Sequence, residues 1–180
     1  MKMQEKNRSE YDANRENIIL IGMPGVGKST LGVILAKELG YQFIDSDLLI
    51  QKREGRLLRE IIEQDGVDGF LAIEDQVNAA LEAEWSVVAT GGSVVYGEAA
   101  MRHLKAIGRV VYLQLPFAEL QKRLGNLHNR GVVLRGGQTL QDIYTERCRL
   151  YEKYADITVN ESGLDLEGTL EAVRKALASC

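Results

Sequence analysis

Nine consecutive residues carry the strongest chemical signal in the chain. Gly22-Met-Pro-Gly-Val-Gly27-Lys28-Ser29-Thr30 satisfies the pattern G-x-x-x-x-G-K-[ST]. In such a turn the backbone N–H groups point inward at the positive end of a helix dipole and form a cradle for phosphate oxygens. Gly25, Val26 and Gly27 supply that cradle, with Gly25 and Gly27 leaving the backbone free to curl. Lys28 adds a mobile charge for the terminal phosphates, the Ser29 hydroxyl suits Mg²⁺, and the Thr30 hydroxyl suits the innermost phosphate. This chemistry is the binding of a nucleoside triphosphate. The plainer alternative, a glycine-rich turn with a solvated lysine, fits poorly between a strand and a helix. The motif alone leaves the acceptor of any transferred group open.

A second signal follows in Phe43-Ile-Asp45-Ser-Asp47, two carboxylates at the carboxyl end of a strand. Ligands lie there in open α/β sheets. If the strand continues, both side chains point the same way: one can hold a water on Mg²⁺ and the other can take the proton of an attacking hydroxyl. A helix-capping pair is the structural alternative. A third signal is local charge. Between Gln121 and Arg149 stand Lys122, Arg123, Arg130, Arg135, Arg147 and Arg149 against Asp142 and Glu146, an excess of +4 in a chain whose net charge is −4. Arginine forks suit phosphate and carboxylate oxygens.

These residues need a scaffold, and the 180-residue chain, 45% hydrophobic and 27% charged, is long enough for one compact domain. Short β-branched runs at Asn17–Gly22, Tyr41–Asp45, Trp85–Thr90, Arg109–Leu115 and Ile157–Val159 read as strands buried on both faces. Helical spacing marks Lys28–Leu39, most of Leu48–Leu81 in two or three pieces punctuated by Gly55, Gly66 and Gly69, Glu98–Ala106, Phe117–Leu124, a stretch ending near Tyr154, and Leu166–Leu177. The alternation predicts an α/β fold with a five-stranded parallel sheet and helices on both faces. Residues 1–16 read as a disordered polar tail, and residues 17–180 as a single domain.

The mild acidity argues against a general nucleic-acid or membrane-surface binder, and no apolar run approaches the ~20 residues of a membrane helix. Cys148 and Cys180 lie far apart with no metal-ligand spacing. With no signal peptide in sight, a cytoplasmic monomer is expected. His103, His128 and Cys148 read as structural or solvated, and Trp85 as core or rim packing.

Taken together, the phosphate loop, the FIDSD pair, the ATGG turn at Ala89–Gly92, VVYL at Val110–Leu113, Arg130 in a loop and ERCRLY at Glu146–Tyr151 resemble the shikimate kinase family from about Asn17 to Val159. The resemblance implies a three-layer P-loop kinase fold with a mobile lid at about 125–137. It also implies ATP- and Mg²⁺-dependent phosphorylation of shikimate to shikimate 3-phosphate, on the way to chorismate and the aromatic amino acids. Carried over by position, Asp47 contacts the acceptor and serves as base, and Ser29 and Asp45 hold Mg²⁺. Lys28 and Arg130 act on the transferring group, and Arg123 lies against the adenine. Phe70, Gly91, Gly92, Arg130 and Arg147 line the acceptor site.

Four positions depart from the family pattern. Leu71 stands after Phe70 where an arginine would clamp the acceptor's carboxylate, a loss worth about 1.5–3 kcal/mol. It also deprives Glu74 of its basic partner. Ser93 replaces the third glycine of a GGG turn, Gly131 a lid proline, and Arg149 a later proline. Arg59, Arg135 or Arg149 could supply the missing charge. Two other readings stay open: a kinase for another small polyol or hydroxy acid, and a non-catalytic ligand-sensing module. The joint presence of Lys28, Ser29, Asp45, Asp47 and Arg130 argues against the second.

Overall fold

The computed structural model describes residues 16–125 and 136–179. Within them, β1 (Asn17–Ile21), β2 (Gln42–Asp45), β3 (Ser86–Ala89), β4 (Gly108–Gln114) and β5 (Ile157–Asn160) form one parallel sheet in the order β2-β3-β1-β4-β5. Seven α-helices accompany them among the described residues: α1 (Lys28–Leu39), α2 (Ser46–Glu54), α3 (Leu58–Ala79), α4 (Glu98–Ile107), α5 (Phe117–Leu124), α6 (Leu140–Tyr154) and α7 (Leu166–Ala178). This is the expected α/β architecture. Every residue of β1 and of β3 is buried, because helices cover both faces.

The main core runs through β1, β3 and β4 and includes Ile19, Leu20, Val88, Val111 and Leu113. A second, smaller apolar cluster, made of Ile50, Ile61, Phe70 and Val77 with Leu71 packed against it, ties α2 to α3 beside the sheet. That pair of helices forms one wall of the site described below.

The boundaries differ from the sequence reading in ways that matter for chemistry. The strand through Phe43 does not continue past Asp45. Ser46 starts α2, and Asp45 is its N-cap in extended conformation. Asp45 and Asp47 are therefore brought together by a helix cap and not by strand alternation. Gly69 is helical, and the single break in α3 is Gly66 at φ 72° and ψ 177°. A 3-10 turn at Val94–Tyr96, unmarked by any sequence period, follows the ATGG segment. Trp85, at φ 46° and 51% exposed, sits at the rim. Most of the lid expected at about 125–137, and most of the tail expected at 1–16, fall outside the described residues.

At the amino end of the sheet, the buried Asn17 side chain crosses between elements. Its Nδ2 donates to Ala83 O and Ile107 O, each at 2.8 Å, and its Oδ1 accepts from Ser86 N at 2.9 Å. All three partners would be left unsatisfied by truncation, at about 1–3 kcal/mol for a buried polar group. Asn17→Ala is expected to destabilise the protein by about 3 kcal/mol. Urea unfolding measures this, and a midpoint unchanged from wild type would show that Asn17 holds nothing.

Candidate functional site

The phosphate loop leaves the carboxyl end of β1 and turns into α1 at Gly27, which caps the helix at φ 103°, a value that suits glycine. Lys28, the first helical residue, is only 8% exposed. Its Nζ donates to Gly22 O at 2.7 Å and Met23 O at 3.0 Å, so the ammonium folds over the loop. Burial pushes its pKa down to about 8, opposed chiefly by the negative charge of Asp47 and reinforced by Arg147. Val26 is buried and Gly25 exposed, while Ser29 and Thr30 lie exposed on the first turn.

Asp45 joins this loop to α2. Its Oδ1 accepts the N–H groups of Asp47 at 3.0 Å and Leu48 at 3.4 Å, and its Oδ2 accepts the Ser29 hydroxyl at 2.8 Å. The capping alternative therefore holds for Asp45 alongside its approach to the phosphate loop. Asp47, in the first turn of the helix, has its carboxyl raised above the usual carboxylate range by burial and by Asp45, with Lys28 pulling the other way. Opposite stands Gly91: a Cβ there would overlap Glu74 Oε1 and come to 2.9 Å from Asp47 Oδ1. Only glycine permits that approach.

Glu74, on α3, is 1% exposed. Burial raises its pKa to about 7, with the Ser93 hydrogen bond and the charges of Arg147 and Lys28 opposing the rise and Asp47 adding to it. Arg147, on α6, is equally buried. Its Nε donates to Tyr96 Oη at 3.4 Å, and its guanidinium lies 5.3 Å from the centre of the Tyr96 ring. One turn further along α6, Tyr151 Oη donates to Gly92 O at 2.5 Å, and its ring stacks on Tyr112. The helix is thereby fixed to the Gly91–Tyr96 segment.

On the far side of the phosphate loop, Arg123 Nη1 donates to Val26 O at 3.2 Å and lies 3.5 Å from Glu161 Oε2. Lys28, Ser29, Asp45, Asp47, Gly91, Gly92, Arg123 and Arg147 thus all line the carboxyl edge of the sheet and its adjoining loops. Phe70 is buried in the second apolar cluster, behind this edge. Arg130, Gly131 and Arg135 lie outside the described residues. Arg59 and Arg149 are exposed, and the charges acting on Glu74 are those of Asp47, Arg147 and Lys28. His103 Nε2 is hydrogen-bonded with Leu81 O at 2.7 Å. The Cys148 thiol accepts from Tyr112 Oη, and burial pushes its pKa up. Both therefore play structural parts.

Sequence reasoning passed over Tyr96 and Glu161. Tyr96 acts across 51 residues, from a 3-10 turn without periodicity. Glu161 is an acidic residue after a short strand, and nothing in its neighbourhood in the chain distinguishes it from a solvated one.

Comparison with known proteins bears on this geometry. The family model for shikimate kinase matches residues 24–178. The shikimate kinase of Thermobifida fusca is 36% identical over 167 residues, covering 92% of this chain and 96% of that protein. That of Clostridium botulinum is 40% identical over 149 residues, covering 81% and 88%. Among solved structures, the shikimate kinase from Acinetobacter baumannii in complex with shikimate superposes with a TM-score of 0.83 at 29% identity, covering 96% of this chain and 97% of that one. A gluconokinase from Sinorhizobium meliloti, at 19% identity and a TM-score of 0.54, shares the fold alone.

Glu161 gives the site a testable pH signature. Burial raises its pKa to about 7, against the opposing charges of Arg123 and Lys28. A folded-state pKa above the unfolded value means that the protonated form contributes stability at acid pH, and this contribution is lost as the pH rises through about 7. Glu161→Gln is uncharged throughout. Its melting temperature relative to wild type is expected to be more favourable at about pH 8 than at about pH 5. A difference between variant and wild type that is independent of pH would show that the carboxyl is effectively solvated.

Proposed function

This chain belongs to the shikimate kinase family, and from that premise we propose how its own residues carry the reaction. The protein is an ATP-dependent kinase that phosphorylates a hydroxyl of shikimate. The observation that carries the proposed division of roles is the buried Lys28 ammonium, within electrostatic reach of both Asp47 and Arg147 at the carboxyl edge of the sheet. A phosphate-binding cation, a proton acceptor and an anion receptor meet there.

The phosphates of ATP rest in the backbone cradle from Gly25 to Thr30, and Arg123 lies against the adenine from its seat on Val26 O. Lys28 is desolvated, so its charge acts on the transferring phosphoryl group with little screening. Asp47 accepts the proton of the attacking hydroxyl. Its raised pKa makes it a stronger base than a solvated carboxylate, and the Lys28 charge opposes that rise. Gly91 admits the ring of the acceptor beside that carboxylate, and Arg147 pairs with the acceptor's own carboxylate. With donor and acceptor held in line, positioning and electrostatic stabilisation supply most of the rate.

Ser29 Oγ and Asp45 Oδ2, 2.8 Å apart and facing the phosphate loop, form a hard-oxygen pair suited to Mg²⁺. No cluster of three or more His, Cys, Asp or Glu side chains able to hold a metal occurs among the described residues. That fits an ion held by one or two protein oxygens together with phosphates and water. When bound, Mg²⁺ neutralises charge on the phosphate oxygens.

An ADP-release assay over shikimate, quinate, gluconate and small polyols is expected to show turnover dependent on shikimate. Shikimate turnover at the ATPase background would remove the activity from this chain. Lys28→Ala is expected to lower kcat by about a thousandfold with an unchanged circular dichroism spectrum. Asp45→Asn should chiefly weaken the Mg²⁺ dependence, whereas Asp47→Asn should abolish turnover and raise the shikimate KM. Equal effects of the two on metal titration, with no effect on shikimate binding, would overturn the division of labour.

A further inference from the structure

Glu74 is a fully buried carboxylate that the roles above leave without a task. Its Oε2 accepts the Ser93 hydroxyl at 2.5 Å. Its Oε1 is also buried, yet meets no hydrogen-bond donor among the described residues. A buried carboxylate oxygen without a donor is costly, and such groups are normally satisfied. This one is not turned into apolar packing. It and Asp47 Oδ1 both approach the position that a Cβ on Gly91 would occupy, so the two oxygens flank the same backbone carbon.

Two of the sequence departures meet at this carboxylate. Leu71 lies three residues before Glu74 on α3, where an arginine would present a guanidinium to the same helix face. Leucine instead packs against the Ile50–Phe70 cluster and offers Glu74 no donor. Ser93 stands where the resemblance expects glycine and provides the hydroxyl that Glu74 uses. The carboxylate is thus held by a neutral hydrogen bond to one oxygen, which leaves the other free to receive a donor from a ligand.

We propose that Ser93 is a positioning residue for the acceptor: it fixes Glu74 so that Oε1 receives a hydrogen bond from a second hydroxyl of the acceptor, beside the hydroxyl that Asp47 deprotonates. This rests on the reading of the pocket as the shikimate site. Part of the binding free energy then comes from a hydroxyl, and an acceptor lacking that hydroxyl binds more weakly.

Kinetics of Ser93→Ala, Glu74→Gln and the double variant, with thermal unfolding of each, test the assignment. Ser93 has φ −98° and ψ −5°, a conformation open to alanine. Ser93→Ala is expected to raise the shikimate KM about tenfold while kcat and the ATP KM change little. Ser93→Gly removes the same hydroxyl and should give the same shift. Glu74→Gln should also raise the shikimate KM, and adding Ser93→Ala to it should have little further effect, because the two act through one interaction. An unchanged shikimate KM in both Ser93 variants, additive losses in the double variant, or a joint rise of the ATP and shikimate KM would overturn the proposal. Absence of shikimate turnover in the wild type would overturn the underlying reading as well, a result distinct from turnover that ignores Ser93.

Discussion

Everything at the carboxyl edge of the sheet depends on keeping charge in a place with little water. Lys28 and Arg147 are buried cations, Glu74 and Glu161 are buried carboxyls, and Asp47 is a half-buried one beside them. None would be tolerable alone at that depth, since an isolated buried ion costs several kcal/mol. Together, the opposite charges lower one another's cost. Lys28 lies among carboxylates that keep it charged despite its depressed pKa, and its own charge in turn restrains the rise of Asp47, Glu74 and Glu161. The same poor solvation makes these charges strong enough to act on a phosphoryl group.

The fold meets this constraint by bringing short polar segments from separate elements to one edge. β1 delivers the phosphate loop, the end of β2 delivers Asp45, the turn after β3 delivers Gly91 to Ser93, and α6 delivers Arg147. Each contribution is fixed by a local device. Asp45 caps α2 with one oxygen and takes Ser29 with the other. Tyr151 holds the carbonyl of Gly92. The apolar cluster between α2 and α3 sets the depth at which Glu74 meets Ser93.

Where function was legible in the sequence, the signal was local. The loop from Gly22 to Thr30 needs a strand before it and a helix after it, and both lie within reach of periodicity. The buried runs of β1 and β4 announce a parallel sheet by their lack of alternation. The arrangement of Asp45 and Asp47 was less legible. Strand and cap predict the same two residues with different geometry, and the competition between them is settled by α2 packing onto α3. Contacts between distant segments were not legible at all. Ser93 meets Glu74 across 19 residues, and Arg147 meets Tyr96 across 51. Such pairs depend on how α3 and α6 are placed, which no spacing in the chain encodes.

The Asn17 hydrogen bonds have an evolutionary consequence. They bind the amino ends of β1 and β3 to the segments around Ala83 and Ile107. Five residue steps from Asn17 to Gly22, about 16 Å at the rise of a strand, separate them from the start of the phosphate loop. The scaffold is therefore anchored at the end of the sheet opposite to the chemistry. Under the roles proposed above, changes around the acceptor, at positions such as Leu71 and Ser93, would draw on a reserve of stability that they do not themselves supply. A lineage carrying this anchor has room to drift in what its pocket recognises, and selection on the pocket can proceed one residue at a time without first rebuilding the sheet.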